Sequence, residues 1–288
     1  MKIGVIFPQT EIGPDPAGVR AYAQAVQELG FEHLEVYDHV LGADPAAHAG
    51  WEGPYNVHSQ FHEPMVVFGY LAAIAPRLEL VTSVIILAQR QTALMAKQAA
   101  EVDVLTGGKL RLGVGIGWKQ VEYEALGMDF HNRGRRFEEQ IELMRRLWTD
   151  PSVTFNGKYH RVTGAGINPL PVQRPIPVWI GASAEPAIKR AAELADGDFP
   201  QRPLEGGWPA PLDKIRGWLS AAGRDVSRFG IDARVQAGSG SPDHWRNQAE
   251  QWRALGATHL SINTMNGGLR GPDAHIERLR QALPALTS

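Results

Sequence analysis

The sequence contains no cysteine, which excludes disulfide bonds, thiolate nucleophiles, cysteine-ligated zinc and iron–sulfur clusters. It also lacks an excess of charge of one sign, because 29 Lys and Arg residues stand against 31 Asp and Glu residues. A nucleic-acid-binding protein needs a basic surface, so this balance gives no support to that function. Because the sequence has no cysteine, any redox chemistry must come from a bound cofactor.

Long hydrophobic runs are absent as well. The longest nearly apolar stretch, residues 66–75, is too short to cross a bilayer. Residues 1–13 lack the charged and apolar regions of a secretory signal. These features predict a cytoplasmic protein with no membrane partner.

Short β-branched runs alternate with amphipathic stretches, which is typical of βα units around a parallel sheet. Eight such units predict an α/β fold, a closed (β/α)8 TIM barrel, as a single domain over residues 1–288. Two longer connections, around residues 42–60 and 150–177, predict insertions after strands 2 and 4. The predicted strands are 2–7, 33–37, 78–86, 110–114, 176–180, 197–200, 229–236 and 259–262. The helices expected to follow them are 19–29, 65–74, 92–105, 133–148, 185–194, 212–222, 244–255 and 273–283.

Asp38 and His39 stand at the predicted carboxyl end of the second strand, which is the rim where barrel enzymes carry their catalytic residues. Histidine transfers protons readily near neutral pH, and a neighbouring carboxylate can tune it. The alternative is a structural ion pair that closes the end of the barrel.

Gly113, Gly115 and Gly117 follow the fourth strand, where glycine allows the backbone to approach a flat or phosphorylated ligand closely. The spacing is G-x-G-x-G and the next residue is Trp118, so the dinucleotide fingerprint G-x-G-x-x-G is not met. Taken alone, the run is also compatible with a tight exit from a strand.

Gly181, Ala182 and Ser183 lie between the fifth strand and a helix that begins near residue 185. Free backbone amides at a helix start bind phosphate without a basic side chain. Ser183 could equally be an ordinary cap of that helix.

Thr82 and Ser83 interrupt an otherwise apolar strand. Buried hydroxyl groups need partners, and a hydrogen bond to a neighbouring strand is the favoured interpretation. The alternative is a bulge or a ligand contact. No metal site is predicted, because His58 and His62 lack an H-E-x-x-H pattern and Pro64 breaks helical continuity.

Together these segments resemble the bacterial-luciferase-like monooxygenase superfamily, and more closely its F420-dependent (deazaflavin) oxidoreductase branch. The resemblance extends from the first strand to about residue 200. The motifs that carry it are Asp38-His39, Ala96-Lys97 with Ala100 and Asp103, Gly107-Gly108-Lys109, Gly113 to Trp118, Glu122 with Ala125 and Gly127, Leu147-Trp148 and Pro177 to Ser183.

The resemblance implies where a tricyclic cofactor binds. Its ring would lie in the barrel mouth against a bulge with a cis peptide near Ser83 and Val84. Gly115, Gly117 and Trp118 would border the ring and its ribityl chain. The amides of Gly181, Ala182 and Ser183 would bind the phosphate, Ala182 replacing the more usual second glycine.

The same resemblance implies the chemistry. Asp38 would hydrogen-bond the ring or orient His39, and His39 would exchange a proton with the substrate during hydride transfer. The leading hypothesis is an F420-dependent oxidoreductase that acts on a small organic molecule, as a homodimer. The alternatives are an FMN-dependent monooxygenase with a separate reductase and, as a third hypothesis, a cofactor-binding protein without catalysis.

Overall fold

Parallel strands close into a barrel in the computed structural model, which describes residues 1–48, 50–201 and 207–287. Ala49, in the predicted loop 42–60, lies outside the described residues. Eight strand positions form the barrel, and β3 and β4 share one of them. An antiparallel hairpin, β6–β7, precedes β8. The strands are β1 (Lys2–Ile6), β2 (His33–Val36), β3 (Glu79–Thr82), β4 (Ile85–Ile86), β5 (Leu110–Gly115), β6 (Val153–Asn156), β7 (Arg161–Ala165), β8 (Val178–Ala182), β9 (Gly197–Pro200), β10 (Gly230–Gln236) and β11 (His259–Asn263).

Helices cover the outside of the barrel and bury one apolar face each. In the first of them, Val19, Tyr22, Ala23 and Val26 recur at helical spacing and are buried, as the sequence predicts. No helix of the described chain is long and apolar enough to span a bilayer. The helices are α1 (Pro16–Glu28), α2 (Pro64–Ile74), α3 (Thr92–Thr106), α4 (Gln120–Ala125), α5 (Arg133–Thr149), α6 (Glu185–Leu194), α7 (Pro209–Ala221), α8 (Pro242–Ala254) and α9 (Gly271–Thr287).

The third strand departs from the prediction of one unbroken run over 78–86. It divides into β3 and β4, and residues 82–84 lie opposite only two residues of β5, 112 and 113. This one-residue bulge contains a cis peptide bond between Ser83 and Val84, as the family resemblance implies. A Cβ atom on Gly113 would lie 1.9 Å from the carbonyl oxygen of Thr82, so the two strands meet this closely only because residue 113 is glycine.

Large and charged side chains fill the barrel interior. The Trp179 ring occupies space where Cβ atoms on Gly197 and Gly230 would come within 2.4 Å and 2.1 Å of it. The Arg111 guanidinium lies 4.4 Å from the centre of the Trp179 ring. Arg111 also donates a hydrogen bond of 2.7 Å to Asp232.

A buried hydroxyl joins three titratable side chains near the same level of the barrel. Ser261 Oγ lies 2.8 Å from His33 Nε2, 2.7 Å from Glu35 Oε1 and 2.9 Å from Asp232 Oδ1. One hydroxyl has a single hydrogen to donate, so one of the two carboxyl groups must carry its own proton. Because Arg111 binds Asp232, the proton belongs to Glu35. Although His33, Glu35 and Asp232 place ligand-type atoms within 4.8 Å of one another, they are already bound to Ser261 and Arg111.

Replacing Glu35 with Gln tests this assignment. Burial, together with the charge of Asp232, raises the pKa of Glu35 to about 7. The folded protein thus favours protonated Glu35, a stabilisation that is present below the ordinary pKa and lost as pH rises towards about 7. We expect the free energy of unfolding of Glu35→Gln, relative to wild type, to increase by about 1–3 kcal/mol between about pH 5 and pH 8.

Urea denaturation at the two pH values measures this difference. Glu28→Gln, which replaces an exposed carboxylate on α1, is the matched control and should show no such change. A Glu35→Gln difference that is the same at both pH values would contradict the assignment.

Candidate active site

A cavity of about 420 Å³ opens at the carboxyl ends of the barrel strands. It brings together residues that follow β2, β3, β5 and β8, because parallel strands end at the same rim. Residues 37, 55, 86, 116, 184, 187, 201 and 234 complete the wall. Every residue that the sequence singled out as catalytic or cofactor-binding lies in this wall: Asp38, His39, Ser83, Val84, Gly115, Gly117, Trp118, Gly181, Ala182 and Ser183.

Val84, which lies in the bulge, packs against two bare backbone segments. A Cβ atom would come within 2.8 Å of Val84 Cγ2 if placed on Gly115, and within 2.9 Å of Val84 Cγ1 if placed on Gly181. Side chains at either position would therefore displace Val84 from the cavity. Gly117 has a φ of +63°, which favours glycine at the exit from β5.

The start of α6 borders the cavity without a side-chain cap. Its cap residue is Ala184, and no side chain accepts a hydrogen bond from the first turn. Ser183 therefore does not cap the helix, which was one of the two interpretations of its position. The backbone amides of Ser183 and Ala184 have no backbone partner in the described chain. Free amides at the positive end of a helix are suited to a phosphate group.

Asp38 is bound to Arg90, not to His39. Arg90 Nη2 donates to Asp38 Oδ1 at 2.6 Å, and the Ile86 amide donates to Asp38 Oδ2 at 2.9 Å. The carboxyl group is buried, and burial raises its pKa while the charge of Arg90 opposes the rise. The expectation that Asp38 orients His39 is wrong, because its oxygens are already used to tie the end of β2 to β4 and to Arg90.

Glu122, at the start of α4, orients His39 instead. Its Oε2 lies 3.1 Å from His39 Nδ1, and its Oε1 accepts hydrogen bonds from the amides of Val40 at 2.7 Å and Leu41 at 3.1 Å. Burial alone would raise the pKa of Glu122, but the hydrogen bond with His39 and the two amides hold it below its ordinary value. The carboxylate is therefore ionised and accepts from every partner.

Aromatic rings surround His39. Phe61 lies edge-on at 4.8 Å between ring centres, and Tyr55 and Trp118 follow at 5.2 Å and 6.2 Å. Trp51 packs on Trp118 at 5.7 Å, so the 42–60 loop covers one side of the cavity mouth. The His39 side chain remains 9% exposed. Its Nε2 atom has no hydrogen-bond partner in the described part of the chain.

Both hydroxyl groups of the bulge are satisfied. Thr82 Oγ1 donates to the Gly113 carbonyl of the neighbouring strand at 2.7 Å, as the favoured interpretation predicts. Ser83 Oγ accepts from Arg234 Nη2 at 2.9 Å, across the barrel from β10. Ser83 thus contacts a distant strand while lining the cavity.

Sequence reasoning assigned no role to Arg90, Glu122 or Arg234. Glu122 belongs to a motif that carries the family resemblance, but its partner lies 83 residues away. Arg234 had a detectable signal, because Asp232 and Arg234 alternate on one face of a strand whose other face carries the apolar residues Ile231, Ala233 and Val235.

A family model described as luciferase-like monooxygenase matches residues 1–284. An uncharacterised protein of Mycobacterium tuberculosis is 37% identical over 155 residues, 54% of this chain and 52% of that protein. The chain therefore matches about half the length of these first relatives. The FMNH2-dependent dimethylsulfone monooxygenase of Pseudomonas putida is 29% identical over 222 residues, 76% of this chain and 57% of that enzyme.

Among solved structures, the coenzyme F420-dependent tetrahydromethanopterin reductase of Methanopyrus kandleri matches with a TM-score of 0.76. The comparison covers 99% of each chain at 16% identity, which is a likeness of fold. The family match, by contrast, extends over nearly the whole sequence and over every strand of the barrel. The chain belongs to the luciferase-like monooxygenase family.

Proposed function

We propose that this protein is an F420-dependent oxidoreductase that transfers a hydride between the deazaflavin and a small organic substrate. The observation that supports this most is His39, which lies in the cavity wall with one ring nitrogen fixed by Glu122. A reaction that moves a hydride from or to a carbon next to oxygen also needs a proton acceptor or donor. His39 supplies that group beside the cavity.

The cavity fits a planar cofactor with a phosphate-bearing chain. The backbone of Gly115 and Gly181, with Val84 between them, offers a flat apolar surface for the ring. The uncapped start of α6, at Ser183 and Ala184, would hold the phosphate. When bound, the deazaflavin supplies a carbon that accepts or donates two electrons as hydride.

The hydrogen bond to Glu122 determines which nitrogen of His39 carries the proton. Because ionised Glu122 can only accept, His39 Nδ1 must donate, and the neutral ring keeps a lone pair on Nε2. This Nε2 would take the proton of a substrate hydroxyl group during oxidation and return it during reduction. The surrounding Tyr55, Phe61 and Trp118 rings limit the access of water to it.

An FMN-dependent monooxygenase is the second candidate. It is favoured by the 29% identity to an FMNH2-dependent enzyme over 222 residues. The same cavity would accept FMN, because FMN also has a planar three-ring system and a phosphate on its ribityl chain. A third candidate is a cofactor-binding protein without catalysis. The homodimer stays a prediction of the family resemblance.

Titration of the purified protein with each cofactor separates the first two candidates. We expect oxidised F420 to bind, followed through quenching of cofactor fluorescence, and to be turned over. Tight binding of FMN with no binding of F420 would reverse the order of the two. Stoichiometric binding with no turnover over a panel of alcohols and carbonyl compounds would support the third.

Replacing His39 with Ala removes the proposed proton acceptor. We expect turnover to fall at least about tenfold, while the cofactor dissociation constant changes by less than about twofold. Steady-state kinetics and cofactor titration measure the two quantities. His58→Ala, an exposed histidine of the 42–60 loop, is the control and should retain full turnover. If His39→Ala turned over as fast as wild type, His39 would have no part in the reaction.

Glu122 is proposed as a positioning residue that acts through His39. An amide in its place can donate to Nδ1 and so favours the other tautomer, which places the proton on Nε2. We expect Glu122→Gln to lower kcat about tenfold with little change in KM, and Glu122→Asp, which restores a carboxylate, to recover part of the loss. A loss confined to thermal stability, with kcat unchanged, would make Glu122 purely structural.

A further inference from the structure

Arg234 is a cation in the cavity wall whose donors are not all used. It lies on β10, and its guanidinium donates to Ser83 Oγ at 2.9 Å and to Gln201 Oε1 at 3.2 Å. Its Nε is buried and has no hydrogen-bond partner. The Tyr37 ring centre lies 5.3 Å from the guanidinium carbon. All of these hydrogen-bond partners are neutral groups.

Other arginines inside the barrel have carboxylate partners. Arg90 is bound to Asp38 and Glu63 at 2.6 Å and 2.8 Å, and Arg111 is bound to Asp232 and Glu79 at 2.7 Å and 3.2 Å. For Arg234, no carboxylate oxygen lies within 4.0 Å in the part of the chain that the structure describes. A partly buried guanidinium with no bound anion, in the wall of a cavity, is suited to an anionic ligand.

Although burial opposes the shift, nearby side chains raise the pKa of Arg234 and so keep it charged. No carboxylate of the described chain binds it. Burial raises the pKa of Asp198 well above its ordinary value, and that of Glu35 to about 7, so both favour the neutral form. Asp232 is ionised, but Arg111 already binds it at 2.7 Å. The positive charge of Arg234 is therefore available to the cavity.

We propose that Arg234 recognises the substrate, and that the substrate is a small organic anion whose carboxylate or similar group binds the guanidinium. This inference rests on the proposed function in that it takes the central cavity as the reaction site. The planar fork of an arginine matches two oxygens of a carboxylate, which gives direction as well as attraction. Ser83 Oγ and Gln201 Oε1 hold the fork in the cavity wall and take one hydrogen each from Nη2 and Nη1, which leaves one further hydrogen on each of these nitrogens.

Arg234 also contributes to the wall of a second cavity, of about 230 Å³, between the barrel and α8. That cavity is lined by Gln248, whose Nε2 has no partner, and by Trp208 and Trp252. The proposal commits to the central cavity, because Arg234 is bound there to Ser83, the residue that borders the expected ring site. A variant confined to the second cavity therefore makes a useful control.

The test compares a carboxylate with its neutral isostere. Isothermal titration calorimetry of the purified full chain, without cofactor, measures the binding of benzoate and benzamide. We expect wild type to bind benzoate at least about tenfold more tightly than benzamide, since a charge-assisted bidentate pair exceeds about 1.4 kcal/mol. Arg234→Gln should abolish this preference, and Arg234→Lys should retain part of it. Circular dichroism and thermal denaturation establish that each variant is folded.

Two control variants accompany these. Arg278→Gln removes a partly buried arginine that donates to the Ala237 and Gly238 carbonyl groups after the same strand, and should keep the full preference. Gln248→Ala alters the second cavity and should keep it too. A loss in Gln248→Ala as large as that in Arg234→Gln would place the anion in the second cavity and overturn the proposal.

A second experiment tests whether Arg234 instead binds the negatively charged ring edge of the reduced cofactor. If Arg234→Gln weakened the binding of reduced FMN or reduced F420 but left the benzoate preference intact, Arg234 would bind the cofactor ring. That result would overturn the proposal. An unchanged preference with unchanged cofactor binding would overturn it as well. Because benzoate is titrated without cofactor, a protein that binds no F420 but prefers benzoate would refute the proposed function and leave the role of Arg234 standing.

Discussion

The close approach of β5 to the bulge at residues 82–84 is the constraint on which the cavity depends. It requires glycine at position 113, where a Cβ atom would lie 1.9 Å from the Thr82 carbonyl oxygen. The extra residue turns Val84 into the barrel mouth, between the bare backbones of Gly115 and Gly181. With a regular strand, Val84 would not cover Gly115 and Gly181, and the apolar surface that we propose for a planar ring would be lost.

Two nearby carboxylates have opposite consequences for the site because of what binds them. Asp38 is used by Arg90 and by the Ile86 amide, so it fixes the rim and adds nothing to the cavity that can react. Glu122 accepts hydrogen bonds from His39 and from two amides, and the bond to His39 fixes the tautomer of that histidine. Both the Nε2 atom of His39 and the guanidinium of Arg234 remain available to a ligand. The first can accept a proton, and the second attracts a negative charge.

Local patterns predicted the eight barrel strands and the helices that follow them, because the pattern of each such element is contained within about ten residues. The segments 115–118 and 181–183 were located in the same way, and they line one cavity. The partners of His39 and Asp38 could not be found so, since Glu122 and Arg90 are 83 and 52 residues away and meet them only after the barrel closes. The adjacency of Asp38 and His39 in the sequence suggested that they bind each other, but they bind different partners. The break in the third strand came from the resemblance, as the run 78–86 alone is typical of a continuous buried strand.

The arrangement around His39 bears on proton transfer more than on the choice of cofactor. Hydride transfer and oxygenation by a flavin both move protons, so a base beside the cavity is compatible with either reaction. A buried, ionised carboxylate, Glu122, fixes the tautomer of His39 through a hydrogen bond. Removing such a group from water is unfavourable unless its hydrogen bonds are complete. Within the described residues, its hydrogen bonds all hold His39 and the two residues after it. Under the proposed function, this arrangement prepares His39 for proton transfer to or from a substrate oxygen, a step that oxidation of an alcohol or reduction of a carbonyl group requires.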